Sequence, residues 1–237
     1  MVTRANSACH AFLFYGQYNM LFNNPDIWEV TLLSLKVSGL ATLVSLLIGL
    51  PCGTMLALGK FPGRSFLLTI VNTGMALPPV VVGLAVAMAL WRSGPLGSLQ
   101  LIYTPAAIVI AQVIISLPVV TGLTSASLQQ MDPQLRLQLL GLGASRAQMV
   151  LVLWQEARLS LLAALMAGFG SVISEVGASM MVGGNILHQT RVLTTAIVLE
   201  TNKGDFSSAI ALGILLLAIT FLINYALTWI QQRGAKR

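Results

Sequence analysis

Charged residues are scarce in this chain of 237 residues. Asp, Glu, Lys and Arg together make up only 8% of the sequence, whereas hydrophobic residues make up 56%. Because soluble domains carry roughly 25% charged residues, this composition excludes a soluble globular protein. The long apolar blocks also lack the polar–apolar alternation of membrane β-barrels. The sequence therefore predicts an all-α integral membrane protein.

Motifs for catalysis, nucleotide binding and metal binding are missing as well. The phosphate-binding pattern Gly-x-x-x-x-Gly-Lys-Ser/Thr is absent, and no hydrolase constellation is visible. The two cysteines, Cys9 and Cys52, match no metal or redox spacing and are interpreted as unpaired small residues. We therefore expect a chain that is not itself an enzyme and holds no cofactor or metal. The net charge of +6 comes without a basic cluster interleaved with aromatic residues, which argues against a nucleic-acid partner.

Five apolar blocks are long enough to cross a bilayer, whose core of about 30 Å needs about 20 apolar residues per helix. They cover about residues 28–58, 66–91, 105–127, 159–182 and 207–230 of a single transmembrane domain, 1–237. Pro78 and Pro79 remove two backbone donors inside the second block, so this segment should line an interior rather than face lipid. The fourth block is rich in small residues, which allow close helix approach, and should lie at the centre of the bundle.

Five spans place the two termini on opposite sides of the membrane, and basic residues indicate which side is cytoplasmic. One side collects eight of them, namely Lys60, Arg64, Arg136, Arg146, Arg158, Arg233, Lys236 and Arg237. The other side holds five, namely Arg4, Lys36, Arg92, Arg191 and Lys203. The excess predicts a cytoplasmic C-terminus and a cytoplasmic loop over residues 128–158, with the N-terminal segment 1–27 and the loop 183–206 outside.

The segment from Met131 to Glu156 differs from the membrane-filling blocks on either side of it. Its apolar residues recur at nearly helical spacing, at Leu135, Leu139, Leu142 and Met149. A Gly-Ala-Ser break at residues 143–145 interrupts them. This pattern predicts two short amphipathic helices joined by a glycine turn at a membrane face. The segment is either a docking element for a partner or an ordinary interfacial connector.

The core of this segment resembles the cytoplasmic EAA loop of permease subunits of bacterial ABC importers. Leu142–Arg146 is similar to the glycine core of that loop, and Met131-Asp132-Pro133 resembles its approach. The chain departs from the pattern at Leu137–Leu139, where Glu-Ala-Ala is usual, and at Gln155-Glu156, where Leu-Pro is usual. The resemblance implies a MetI-like fold and a loop that transmits the closure of a separate ATPase to the membrane helices. It assigns this coupling to Asp132, Leu139, Leu142, Gly143, Ala144, Ser145 and Arg146.

A second stretch, residues 175–197, resembles the permeases of oxyanion importers. Its Glu, Gly-Ala and Gly-Asn-Ile arrangement is that of molybdate and tungstate permeases, and its Glu-Val-Gly-Ala form is most similar to the tungstate-type (Tup) branch. The resemblance implies the transmembrane subunit of an ATP-driven tungstate importer in the cytoplasmic membrane of a bacterium or archaeon. It also implies alternating access by a homodimer in membrane lipid. The expected partners are two ATP-binding cassette subunits, which bind ATP and Mg, and an extracytoplasmic oxyanion-binding protein.

Glu175 is the one acidic residue well inside a predicted span. Because an ionisable group at bilayer depth costs roughly 2.5 kcal/mol or more, it should face the bundle interior. Like charges repel, so we expect it to order helix contacts through hydroxyl or backbone donors rather than to bind a dianion. Neutral donors suit an anion in transit, although close helix packing would select the same small residues. The pathway or gate candidates are Asn72, Thr73, Pro78, Pro79, Ser171, Ser174, Glu175 and Gly177.

The polar segment after the fourth block should face the binding protein. Its docking candidates are Asn185, Arg191, Glu200, Lys203 and Asp205. His188 is a lone histidine in this segment, and we expect it to be a solvated loop residue rather than a metal ligand.

Two other functions stay open. The same machine could carry molybdate or sulfate, because these tetrahedral dianions are alike in size and charge. A secondary transporter or channel working without ATP would need paired ionisable residues at mid-membrane and, in many cases, an internal repeat. A single Glu175 and no evident repeat disfavour that class. The interior prolines and hydroxyls likewise disfavour a purely structural scaffold.

Overall fold

The computed structural model describes residues 25–235 and the side chains of residues 25–232. Its α-helices are α1 Pro25–Leu58, α2 Arg64–Met75, α3 Pro79–Leu90, α4 Pro105–Gln129, α5 Pro133–Gly141, α6 Arg146–Glu156, α7 Arg158–Ile173, α8 Gly177–Gly183, α9 Leu193–Lys203 and α10 Phe206–Ala235. Between residues 25 and 235 there is no strand, and the all-α prediction is confirmed. Most of the predicted external segment 1–27 lies outside the described residues, as do Lys236 and Arg237.

Three helices, α1, α4 and α10, are each long and apolar enough to cross a membrane. Two bent pairs raise the number of candidate spans within residues 25–235 to at most five. One pair is α2 and α3, which meet at 102° across the Pro78-Pro79 break, and the other is α6 and α7, which meet at 73°. The predicted break at the two prolines is therefore confirmed. The predicted number of spans, five, equals the upper limit, but the second bent pair covers residues 146–173 whereas the predicted fourth span covers residues 159–182.

The longest helix, α1, packs most extensively against α4. Small residues form this contact: Ser45 Oγ lies 2.6 Å from Ser116 Oγ, and a Cβ on Gly53 would lie 2.6 Å from the carbonyl oxygen of Thr121. Small residues let two helix backbones approach closely inside a membrane. Helices α2, α3, α7 and α8 pack against α4 of this pair, so the α1–α4 pair lies at the centre of the described helices.

The fourth predicted span, residues 159–182, is divided in the structure. Helix α7 ends at Ile173 and α8 begins only at Gly177. The 16 residues of α7 extend about 24 Å at about 1.5 Å per residue, which is less than the roughly 30 Å hydrocarbon core. The central position of this segment agrees with the expectation, because α7 contacts α4, α1 and α10. Its small residues Ala164 and Gly168 are buried in those contacts.

Candidate functional site

The helices α5 and α6 form an angular element with the glycine turn between them. Asp132 begins α5 as its N-cap, where its Oδ1 accepts a hydrogen bond of 2.8 Å from the backbone N–H of Gln134. Gly143 has φ +84°, the left-handed conformation that favours glycine just after a helix. A Cβ on Gly143 would meet nothing within 4 Å. The backbone conformation, and not crowding, therefore selects glycine at this turn.

The second helix of the element starts with a capping box. Ser145 N–H donates to Gln148 Oε1 at 2.8 Å, and Gln148 N–H donates to Ser145 Oγ at 3.3 Å. Further along α6, the indole Nε1 of Trp154 donates to Thr54 Oγ1 of α1 at 2.9 Å. Our sequence analysis missed Gln148, Trp154 and Thr54, although Ser145-x-x-Gln148 is the signature of a capping box. The element is thus internally rigid and attached to α1.

The seven coupling candidates divide into an anchored group and an exposed group. Leu139 is half-buried against Leu128, Met149 and Leu153, the cluster that holds α5 and α6 to the end of α4. Leu142 is 85% exposed at the turn, and Ser145 and Arg146 are exposed beside it. An exposed leucine at the tip of a rigid turn offers an apolar contact to another protein, so the geometry fits a docking element.

A second candidate site lies where two helix breaks meet. The break at Pro78-Pro79 begins α3, and the break at residues 174–176 separates α7 from α8. A Cβ on Gly177 would lie 2.5 Å from Val80 Cγ2, and a Cβ on Gly83 would lie 2.6 Å from the Cα of Ala178. Helices α3 and α8 therefore touch at backbone distance, and the structure places Pro79 and Gly177 next to this contact.

Glu175 lies in the break between α7 and α8 and is only 7% exposed. Its Oε1 accepts a hydrogen bond of 2.9 Å from the backbone N–H of Ala178. Its carbonyl oxygen accepts another of 2.9 Å from Thr194 Oγ1 of α9. A backbone donor is one of the two partners that the sequence analysis expected for this carboxylate. Glu175 thereby connects the end of α7, the start of α8 and α9.

Four of the pathway candidates, Ser171, Ser174, Asn72 and Thr73, carry neutral hydrogen-bond donors for an anion, and they lie in different surroundings. The hydroxyls of Ser171 and Ser174 donate to carbonyl oxygens of their own helix, those of Gly168 and Gly170, each at 2.8 Å. An anion would have to replace these bonds. Asn72 and Thr73 are exposed near the end of α2, a helix with no buried residue. The structure therefore leaves the α2 side chains as the more available donors.

The docking candidates of the outer segment mostly hold this segment in shape. Arg191 Nε donates to Asn185 Oδ1 at 3.3 Å, and Asn185 Nδ2 donates to the carbonyl oxygen of Thr195 at 3.4 Å. Helix α9 packs its N-terminal end against α1, where Leu193 N–H donates to Ser34 Oγ at 2.7 Å. The segment that the sequence analysis treated as a polar loop thus contains a helix whose first turn is buried.

The remaining docking candidates lie at the end of α9 and the start of α10. Lys203 Nζ pairs with Glu200 Oε1 at 2.8 Å, and the lysine is exposed. Asp205 caps α10, accepting from the hydroxyl of Ser208 at 2.6 Å and from its backbone N–H at 3.1 Å. These two donors hold the pKa of Asp205 below its usual value. Lys203 is the most accessible of the five candidates for a partner.

His188 is not isolated in the folded chain. It has φ +61°, and its Nδ1 lies 2.7 Å from Glu29 Oε2 of α1, with Asp26 Oδ1 4.0 Å from its Nε2. The three residues place one ligand atom each within 4.8 Å of one another, so the group has the composition of a metal-binding trio although no sequence spacing suggested one. The hydrogen bond to Glu29, followed by the charges of Glu29 and Asp26, raises the pKa of His188.

This contact predicts a pH-dependent stability. The pKa of His188 is raised in the folded protein. The stabilisation that the His188–Glu29 ion pair gives the fold is therefore fully present below the ordinary pKa of 6.5, and it is lost as pH rises through the folded-state pKa of His188. His188→Gln should therefore lower the unfolding temperature of the purified permease by a few degrees at most at about pH 5.5, and by nothing at about pH 9. Thermal unfolding at both values tests this. An equal effect of the substitution at both values would show that the ion pair contributes nothing.

The fold and its turn element define a class of protein, the membrane-embedded permeases of ABC importers. Residues 49–236 match the family described as "Binding-protein-dependent transport system inner membrane component". The chain belongs to this family and is a multi-pass membrane protein. A chain of the MetNI methionine ABC transporter, solved in inward-facing conformations, has the same fold, with a TM-score of 0.70 at 19% identity over 88% of this chain and 94% of that one.

Relatives with similar sequences extend the comparison along the chain. A "Probable anion ABC transporter permease protein" of Haloferax volcanii is 40% identical over 201 residues, 83% of this chain and 87% of that protein. The tungstate uptake permease TupB of Peptoclostridium acidaminophilum is 36% identical over 209 residues, 88% and 92% of the two chains. The molybdenum permease ModB of Escherichia coli is 28% identical over 230 residues, 92% and 100%. The predicted resemblance to Tup-type permeases, near the molybdate and sulfate ones, is confirmed.

Proposed function

We propose that this chain is the transmembrane subunit of an ATP-driven importer that moves tungstate into the cell. The observation that carries this proposal is the likeness to the TupB permease, which extends over nearly the whole of both chains. The Glu-Val-Gly-Ala form at residues 175–178, which the sequence analysis found most similar to the tungstate-type branch, leads into the start of α8 in the structure. The proposed cargo, tungstate, thus rests on the likeness to TupB. The proposed mechanism rests on the geometry of the α5–α6 element.

In this mechanism the α5–α6 element receives the motion of the ATPase. The exposed turn at Leu142 and Gly143 enters a groove of a separate ATP-binding cassette subunit, which supplies ATP and Mg binding. The capping box of α6 and the Trp154–Thr54 hydrogen bond support a rigid-body transfer of that motion to α1 and the α1–α4 pair. The pathway then alternates between an outward-facing and an inward-facing state.

The transporter works as a homodimer with two ATPase subunits. One copy encloses no pathway, and closed two-fold assembly is the commonest oligomer symmetry. The face that carries Lys60, Arg136 and Arg146 is cytoplasmic, and the loop around α9 meets an extracytoplasmic oxyanion-binding protein, with Lys203 the most accessible contact.

Reconstitution tests the proposal directly. The permease, its ATPase and its binding protein are placed in liposomes, and tungstate, molybdate and sulfate accumulation is measured by elemental analysis. We expect accumulation of tungstate that requires both ATP and the binding protein and is preferred over the other two anions. Preferred molybdate or sulfate uptake would reassign the cargo within the same machine. Uptake without ATP would replace the ABC mechanism by secondary transport.

A further inference from the structure

A basic pocket lies between the end of α1 and the α5–α6 element. It has a volume of about 450 Å³, and three cationic side chains line it, namely Lys60, Arg136 and Arg146. None of the three forms an ion pair with a carboxylate among residues 25–232. Three like charges around one pocket repel one another unless an anion balances them. The pocket therefore has the electrostatics of an anion site.

An apolar groove of about 690 Å³ adjoins this pocket. Met55 of α1 lines both, and so joins them. The other groove residues come from α1, α2 and α4, including Cys52, Leu56, Phe66, Ile70, Ile114 and Pro118. Phe66 and Ile70 are exposed in one chain. A cationic pocket thus lies beside an apolar groove along α1, with Met55 in the lining of both.

We propose that the basic pocket and the apolar groove together hold one molecule of an anionic phospholipid. Its phosphate group contacts Lys60, Arg136 and Arg146, and an acyl chain lies along the groove. Basic pockets between membrane helices on the cytoplasmic side are suited to anionic headgroups, and this end of the bundle is the one that we propose to be cytoplasmic. Both volumes fall in the range of roughly 300–1,000 Å³ that accommodates an organic ligand. A free tetrahedral oxyanion shares the phosphate chemistry but leaves the groove unused.

Such a lipid would connect the coupling element to the first transmembrane helix. Arg146, Leu140 and Met149 of the element form one wall of the basic pocket, and Thr54, Met55 and Leu58 of α1 form the other. The headgroup therefore occupies the space beside the Trp154–Thr54 hydrogen bond. The lipid would strengthen the same mechanical connection that the hydrogen bond makes.

Native mass spectrometry of the full-length permease in detergent tests the site. Phosphatidylglycerol or phosphatidylcholine is titrated onto the wild type, onto Lys60→Gln/Arg136→Gln, and onto the control Lys36→Gln/Arg92→Gln, which also loses one lysine and one arginine. Because the first variant loses two basic residues from the pocket, it should bind phosphatidylglycerol about thirtyfold more weakly than the wild type. The control and the wild type should both prefer phosphatidylglycerol. The assay does not involve transport, so its result is independent of the proposed cargo.

Photo-crosslinking locates the bound lipid and separates the possible occupants. Phosphatidylglycerol with a photoreactive acyl chain should label wild-type peptides that contain residues 52–56 and 66–70. Equal binding by the two double variants, or labelling confined to other helices, would overturn the proposal. Displacement of the lipid by millimolar inorganic phosphate would reassign the pocket to a free oxyanion. Displacement by added ATPase subunits, or by a second permease copy on dimerisation, would reassign it to a protein contact. The wild-type preference and labelling decide the matter even if the first variant fails to fold.

Discussion

Gly143→Val is expected to abolish most tungstate uptake while the permease remains inserted in the membrane. Gly143 has φ +84°, a conformation that a β-branched residue adopts only under strain of about 1–3 kcal/mol. The α5–α6 turn should relieve this strain by rearranging, which moves the exposed tip at Leu142. Since about 1.4 kcal/mol corresponds to a factor of ten in an equilibrium, we expect uptake to fall about tenfold or more.

The measurement is the ratio of tungstate accumulated to ATP hydrolysed in reconstituted liposomes. Gly141→Val is the matched control, because Gly141 lies two residues earlier, has no positive φ, and a Cβ there would also meet nothing within 4 Å. We expect the control to transport nearly normally and Gly143→Val to hydrolyse ATP with little transport. Unchanged uptake by Gly143→Val would show that the turn does not couple ATP hydrolysis to transport.

Glu175→Ala is expected to reduce transport of all anions to a similar extent. The substitution removes the acceptor of the Ala178 N–H, and a buried donor left without a partner costs about 1–3 kcal/mol. The contact between α7, α8 and α9 should then loosen, which impairs dimer assembly or gating. Glu175→Gln keeps an oxygen acceptor and removes only the charge, so its transport should lie between those of the wild type and Glu175→Ala.

Uptake of tungstate and molybdate by both Glu175 variants gives the test, together with the fraction of dimer on size-exclusion chromatography. Glu29→Gln is the control, because it removes an exposed carboxylate whose surface pair contributes little. We expect the ratio of tungstate to molybdate uptake to stay at the wild-type value in every variant. A changed ratio in either Glu175 variant would make Glu175 part of the anion site and contradict the gating role.

Much of the architecture could be predicted because it depends on local patterns. Apolar length marks the spanning helices, two adjacent prolines remove backbone donors wherever they stand, and a Gly-Ala-Ser break between amphipathic runs marks a turn. These signals placed α1, the Pro78-Pro79 break, α4, the α5–α6 element and α10 within a few residues of their positions. The fourth span was harder, because its glycines and serines are equally compatible with one continuous helix and with the broken pair α7 and α8.

By itself, the sequence determined that this protein is an all-helical membrane protein with a glycine turn at Gly143, since composition and local backbone preference act within short stretches. Only the tertiary structure decided which distant groups meet: Glu175 with Ala178 and Thr194, His188 with Glu29, and Trp154 with Thr54. It also decided that Lys60, between α1 and α2, and Arg136 and Arg146, in the α5–α6 element, surround one pocket beside an apolar groove. The physical reason is that hydrogen bonds, ion pairs and cavities depend on helix packing in three dimensions, and nothing in the order of the residues specifies that packing locally.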